Sequence, residues 1–339
     1  MSKKKIGDIG EFGFINSIEK GCHFDPQRVI KGIGDDCAVI GPYDKRVLLI
    51  TTDLMVEGTH FLMDKIPPEH LGQKAAAVSL SDIAAMGGTA RHLFVSMAIP
   101  ALAKMDTLHA VYRGIKSVCR HFGVNILGGD TSLSKKGLLI DITAIGEADE
   151  KEVLYRDGAT PDDEIYVTGT LGDSAAGLKL ITGEIESNES STSVLIEAHN
   201  RPFPFLEAGG MIAESGLASA MIDLSDGLFC DLGHICEASG TGAVIFYNAL
   251  PISPQLAALA DACRLNPRDL ALYGGEDYRL LITVPRTHAD TFQGLFKHGS
   301  PCHVYRLGKI TAEKGIRIIT QDGREKVVRP EGFRHFLPL

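Results

Sequence analysis

The stretch "GIGDDCAVI", residues 32–40, sets two aspartates between a glycine turn and an apolar run. Neither Asp35 nor Asp36 has a lysine or arginine next to it. Like charges this close raise one another's pKa unless a cation sits with them. Asp35 reads as the turn residue and Asp36, which leads into the strand, as a ligand. The balancing charge must come from elsewhere in the chain or from a bound ion.

Outward from this stretch, apolar runs alternate with helical patterns. "RVLLITTDLM" (46–55), "FVSMAIP" (94–100) and "GLLIDITAIGEA" (137–148) read as strands. "LGQKAAAVSLSDIAAMGG" (71–88) reads as an Ala-rich helix stopped by Gly87 and Gly88. A second helix carries an apolar stripe at Leu108, Val111, Tyr112, Ile115, Val118, Cys119 and Phe122, with Gly123 as its cap. The charged segment "DEKEVLYRDGATPDDE" (149–164) follows, and the domain boundary falls at its start, giving domains 1–148 and 149–339. Beyond it, strands are expected at "IYVTGTLG", "SAMIDLSDGL", "GAVIFYN", "YRLLITV" and "VYRLGKI", with "GEIESNESSTS" (183–193) a polar loop. Two α+β halves of similar size are the economical architecture.

The 339 residues carry a net charge of -9, which argues against a nucleic-acid binder. No apolar run approaches membrane-spanning length. Seven scattered cysteines without a CxxC pair read as reduced thiols, and "MSKKK" followed by Asp8 and Glu11 is no signal peptide, so a cytoplasmic protein is expected. No Walker-type loop is present, and "GIGDDC" breaks the dinucleotide fingerprint at Cys37.

Five motifs place an Asp beside Gly, Ser or Thr next to an apolar element: "GIGDDC", "TTDLMVEGTHF" (51–61), "SLSDIAAMGG" (79–88), "LGGDTS" (127–132) and "MIDLSDGL" (221–228). Aspartate beside glycine also caps turns, but five such motifs together suit a hard cation such as Mg²⁺, which takes oxygen ligands. Asp82 sits late in its helix, where a negative charge opposes the macrodipole at roughly 0.3–1 kcal/mol. A ligand role explains it better than a structural one. "VTGTLGDSAAG" (167–177) reads as a strand–turn–helix capped by Asp173 or Ser174.

These motifs, with "GEFGFI", "RPFP", "ALYGGEDYRLL" and "GFRHF", resemble in order the thiamine-monophosphate kinase family, within the aminoimidazole ribonucleotide synthetase superfamily, along essentially the whole chain. The resemblance implies an N-terminal ATP/Mg-binding α/β domain that pairs with a second copy into a dimeric barrel, and a C-terminal α+β domain completing the site. It implies transfer of the ATP γ-phosphoryl to thiamine monophosphate, assisted by several Mg²⁺ ions. Asp36, Thr51, Thr52, Asp53, Asp82, Asp130, Asp223 and Asp226 match the family's metal positions. Tyr112, Gly129, Asp130, Arg156 and Ser225 match nucleotide contacts. His60, Glu276 and Phe333 match substrate contacts, with Glu276 brought close to a ligand by the two glycines before it. On this basis bound Mg²⁺ is expected to supply the charge that balances Asp36. The nucleophile is a phosphate oxygen already ionised near neutral pH, so no general base is needed. Rival expectations are another ATP-dependent enzyme of the superfamily and a catalytically silent Mg-nucleotide sensor.

Overall fold

In the computed structural model, which describes residues 5–19, 21–187, 192–297, 300, 302–329 and 332, a helix α1 (Gly10–Ile18) precedes the first sheet. That sheet has seven strands: β1 (Val29–Lys31), β2 (Ala38–Tyr43), β3 (Arg46–Val56), β4 (Thr89–Pro100), β5 (Asn125–Gly128), β6 (Thr131–Ser134) and β7 (Leu139–Asp149). Their order is β1-β2-β3-β7-β4-β5, with β6 also on β4. β3, β7 and β4 form a long antiparallel centre. One face of it buries Leu49, Ile140, Ile142, Ala144, Leu93 and Val95 against α2 (Pro68–Ala85). Helix α3 (Met105–Phe122) packs on α2, and its C-terminal cap is Gly123 in the left-handed region, φ 71°.

The second sheet runs β14-β13-β10-β12-β8-β11-β9. Its strands are β8 (Glu164–Thr168), β9 (Ala220–Asp223), β10 (Gly242–Phe246), β11 (Leu280–Val284), β12 (Val304–Thr311), β13 (Gly315–Ile319) and β14 (Glu325–Val328). Helices α4 (Asp173–Thr182), α5 (Thr192–Asn200), α6 (Leu206–Ser215), α7 (Leu228–Ser239), α8 (Pro254–Cys263), α9 (Pro267–Tyr273) and α10 (Ala289–Leu295) complete this half. Two expected strands are shorter than their apolar runs. The first stops at Thr168 and the turn after it opens α4; the second stops at Asp223, freeing 224–227 as a loop. The expected loop 183–193 gives Thr192 and Ser193 to α5, while 188–191 lie outside the described residues.

Helix α2 joins the halves, because it also packs against β9 and α6 of the second one. Close approach explains its glycines. A Cβ on Gly72 would stand 1.9 Å from the Val111 carbonyl oxygen, and one on Gly114 would stand 1.9 Å from that of Glu69. The α2–α3 backbones therefore nearly touch at reciprocal glycines. Overpacking of this kind costs about 1–3 kcal/mol. Gly72→Ala should lower stability by at least that much in urea unfolding, whereas Gly123→Asn, at an open position, should cost under about 1 kcal/mol. Equal stability of Gly72→Ala and the parent would show that the two helices are not in this contact.

Candidate active site

Between the two sheets lies a cleft of about 1610 Å³. Four chain segments bring acids into it: Asp36 from the turn before β2, Asp53 from β3, Asp82 from the last turn of α2, and Asp223 with Asp226 from the end of β9 and its loop. Carboxylate oxygens of Asp36, Asp82 and Asp223 all lie within 4.8 Å of one another. The Thr51 hydroxyl donates to Asp82, and Ser81 donates to Asp223 Oδ2 at 2.6 Å. Asp36 Oδ2 and Asp53 Oδ2 are buried with no hydrogen-bond partner among the described residues.

The cation that the opening motif requires is Arg156. Its guanidinium donates to Asp36 Oδ1 and approaches Asp35 at 3.9 Å, while Lys31 reaches Asp35 at 3.3 Å. The chain itself thus supplies part of the charge that balances Asp36, on Oδ1, while Oδ2 keeps no partner among the described residues. Asp35 is more than a turn residue, since its side chain is fully buried and paired. Arg156 is nevertheless one charge against several. Burial pushes Asp36 up to about 6 despite Arg156, with Asp223 adding to the rise. Burial likewise takes Asp35, Asp53, Asp223 and Asp226 to about 6. Asp82 goes well above its usual range, from burial and then from Asp53, Asp223 and Asp36.

The donor set fits a hard divalent ion, being all oxygen with two buried carboxylate oxygens left unsatisfied. A second set, Asp226, Cys230, Asp231 and His234, also has ligand atoms within 4.8 Å of one another. The cysteine spacing gave no hint of it. There Asp231 Oδ2 accepts from the Asp226 and Gly227 amides at the start of α7, a structural use of that carboxylate, and Gly227 is the N-cap.

At the other end of the cleft stand His60, Lys74, His199 and Glu276. His60 Nδ1 accepts from the Val56 amide at 3.0 Å, so its ring is held by β3. Glu276 is ion-paired with Lys74 at 2.9 Å. The glycines before Glu276 serve close packing: a Cβ on Gly275 would be 2.6 Å from the Ser225 carbonyl, and one on Gly274 would be 2.3 Å from that of Leu270. They fit the loop against its own protein and at the same time line the cleft beside Glu276. Neither Asp173 nor Ser174 caps α4. Asp277 does, accepting from the Gly172 and Ser174 amides at 2.8 and 3.3 Å.

Thr52 borders the cleft, but its hydroxyl is engaged on the opposite face of its sheet, where it meets Asp141 at 3.1 Å and Thr143 at 3.2 Å. The other expected site residues do not converge here within one copy. Gly129 and Asp130 lie at the β5–β6 junction. Gly129 is pressed on Val95, and the rows Asp53–Ile142–Val95 place it three strand spacings from Asp53, roughly 14 Å. Tyr112 is on α3 and packs against the core. Phe333 lies outside the described residues. Lys74, His199 and Arg156's partnership with Asp36 escaped notice as a group; the one available signal was a lone lysine inside the apolar run "GQKAAAV".

Residues 34–148 match the family model of the N-terminal domain of AIR synthase related proteins, and residues 160–321 match that of the C-terminal domain. The fold and its acid-lined cleft therefore define an enzyme of the AIR synthase related class. Among curated relatives, the thiamine-monophosphate kinase of Aquifex aeolicus is 34% identical over 332 residues, covering 98% of this chain and 100% of that protein. The corresponding Salmonella typhimurium protein is 37% identical over 96% and 98%. A solved structure described as AaThiL complexed with AMPPCP and TMP superposes with a TM-score of 0.86 at 33% identity, over 99% and 100% of the two chains. Structures of HypE at 18–21% identity share the fold alone. The chain belongs to the thiamine-monophosphate kinase family.

The titrations above make stability depend on pH. A carboxyl whose pKa is about 6 folded and about 3.9 unfolded binds more protons when folded. Its contribution is present at low pH and is lost as pH rises through about 6. His199 and His234, pushed down to about 4 chiefly by burial, act in the opposite sense between about 4 and 6.5. The five carboxyls outweigh the two imidazoles. Without divalent ions the protein should melt several degrees lower at pH 7 than at pH 5.5 in calorimetry, and millimolar Mg²⁺ should reverse the loss. A melting point that climbs from pH 5.5 to 7 without Mg²⁺ would contradict the buried cluster.

Proposed function

We propose that the chain transfers the γ-phosphoryl group of ATP to thiamine monophosphate, giving thiamine diphosphate, by direct in-line displacement that depends on Mg²⁺. The observation that carries this is the buried all-oxygen cluster with unsatisfied Asp36 and Asp53 oxygens, in one cleft with the His60–Glu276 end. The named ligands of a related solved structure, AMPPCP and TMP, support it. Asp36, Thr51, Asp53, Asp82, Asp223 and Asp226 would hold the metal ions, which supply charge neutralisation between the phosphates when bound. Arg156 and Ser225 orient the nucleotide phosphates beside them. Glu276 and His60 receive the acceptor's aminopyrimidine and thiazolium end, and Phe333 would add an aromatic face. The acceptor phosphate, with a second pKa near 6, is ionised at pH 7 and needs no proton removed by the protein. Among the residues around it, buried acids with raised pKa values are poor candidates for such a base once they ligate metal. A non-catalytic Mg-nucleotide sensor has no observation in its favour, whereas the presence of His60 and Glu276 in the same cleft as the acids supports a site for an acceptor.

In this proposal, residues 1–148 form the ATP/Mg and dimerisation domain and residues 149–339 complete the site. The outer face of the first sheet exposes Leu54 at 51% and Phe94 at 37%, with Leu133 at 67% on its edge strand. A second copy covering it would form the dimeric barrel. Such pairing would also give Thr52, Tyr112, Gly129 and Asp130 a route to the nucleotide, since one copy keeps Asp130 too far from Asp53 to share an ion whose ligands lie about 2.1 Å away. Among the described residues no helix is long and apolar enough to cross a membrane; a cytoplasmic site of action is part of the proposal.

With ATP, Mg²⁺ and thiamine monophosphate, thiamine diphosphate should form. Asp53→Asn should cut turnover by at least about 100-fold, and thiamine itself should be a poor acceptor. In sedimentation the protein should run as twice its 36.4 kDa chain mass. Efficient phosphorylation of thiamine, undiminished Asp53→Asn turnover, or a single-chain mass would refute the corresponding part.

A further inference from the structure

Helix α2 turns Lys74, Val78 and Asp82 toward the cleft at intervals of four residues. At 1.5 Å per residue the two charged positions are about 12 Å apart along one helix face. The Asp82 end belongs to the acid cluster. The Lys74 end is unlike anything else on this Ala-rich helix. Lys74 is 0% exposed, and its Nζ lies 2.9 Å from Glu276 Oε1, 3.3 Å from His199 Nε2 and 3.5 Å from the His60 carbonyl oxygen. His199 Nδ1 in turn lies 3.3 Å from Glu276 Oε2 and 3.1 Å from Ser174 Oγ. Both Glu276 oxygens are therefore held from inside the protein. Its backbone is held too: φ is 62°, in the left-handed region, and its amide donates to the Ser225 carbonyl at 2.7 Å.

A buried lysine is a poor way to stabilise a core, because a well-packed apolar residue often does as well or better. The neighbours Ala75, Ala76 and Ala77 are all buried, so packing alone asks for no charge at 74. What the charge does is grip a carboxylate that lines the cleft.

We infer that Lys74 is a positioning residue for acceptor recognition: acting through Glu276, with His199 as the second prop, it aims the carboxylate at the aminopyrimidine end of thiamine monophosphate. Helix α2 then sets the distance between that end and the acid cluster, since the one helix carries both Lys74 and Asp82. The inference rests on the acceptor proposed above. Burial alone would push Glu276 up, yet the charge and hydrogen bond of Lys74 help bring it below the usual carboxylate range, so it meets the ligand as an anion. His199 is pushed down to about 4 by burial and by Lys74. It is neutral at pH 7, free to accept from Lys74 at Nε2 and to donate from Nδ1.

The test uses calorimetric binding to the full chain in Mg²⁺, with thiamine monophosphate and AMPPCP as separate ligands. Lys74→Met should weaken thiamine monophosphate about 10-fold or more and leave AMPPCP within about 2-fold. Lys74→Arg should recover part of the loss. In a Glu276→Gln background, Lys74→Met should add nothing, because the lysine acts through that carboxylate. If Lys74→Met alone fails to fold, the double variant, which buries no unpaired charge, is compared with Glu276→Gln instead. Full thiamine monophosphate affinity in folded Lys74→Met, equal losses for both ligands, or a further loss in the double variant would overturn the inference. A parent protein that binds AMPPCP but not thiamine monophosphate would refute the proposed function, and this role with it.

Discussion

One guanidinium faces a group of buried carboxylates, and the site depends on that imbalance. Two like charges 4 Å apart repel by about 4 kcal/mol at an effective dielectric of 20. Arg156 offsets Asp36, part of Asp35 and, through its charge, part of Asp223, but among the described residues Asp53 and Asp82 form no ion pair, and Asp82 has only the Thr51 hydroxyl. In the protein alone, burial and mutual repulsion raise the carboxyls to about 6, so the cluster takes up protons in mildly acidic solution. Divalent ions would answer by displacing them, and they would then stand where transferred phosphate charge needs offsetting. In the proposed reading, the same imbalance suits the cleft to a metal-bound polyphosphate.

Holding five acids from four segments together takes rigid supports. Asp53 sits on a central strand, Asp223 ends β9, and Asp82 rides on a helix packed against both halves. Reciprocal glycines lock α2 to α3, and Gly209 lets α6 approach it so closely that a Cβ would meet the Ala84 carbonyl oxygen at 2.2 Å. The helix can therefore serve as a fixed bar across the domain junction. It carries opposite charges, Lys74 and Asp82, about two turns apart on the face that lines the cleft.

Much of this was legible from local chemistry. Asp36, Asp53, Asp82, Asp223 and Asp226 stood out because each joins a strand or helix end to glycine or hydroxyl residues, and the structure brings all five to one cleft. The alternating apolar runs marked the central strands, and Gly123 marked a helix end through its need for positive φ. Long-range partners were not legible. Arg156 is 120 residues from Asp36, and Lys74, His199 and Glu276 meet only through tertiary packing. Asp277 caps a helix more than 100 residues earlier in the chain, a job that local patterning assigned to Asp173 or Ser174. Strand ends at Thr168 and Asp223 were overrun because apolar residues continue past them into buried turns. Tyr112, Gly129 and Asp130 match the family's motifs yet lie apart from the cluster in a single copy, a relation that sequence order cannot express.

The central claim is that buried carboxyls keep protons until metal-bound nucleotide takes their place. Calorimetric titration with Mg²⁺–AMPPCP at pH 6, in two buffers of different ionisation enthalpy, measures the protons released. The account predicts release at pH 6 that is smaller at pH 8, where the carboxyls that titrate near 6 have already ionised. The same heat in both buffers at pH 6, meaning no proton change on binding, would contradict it.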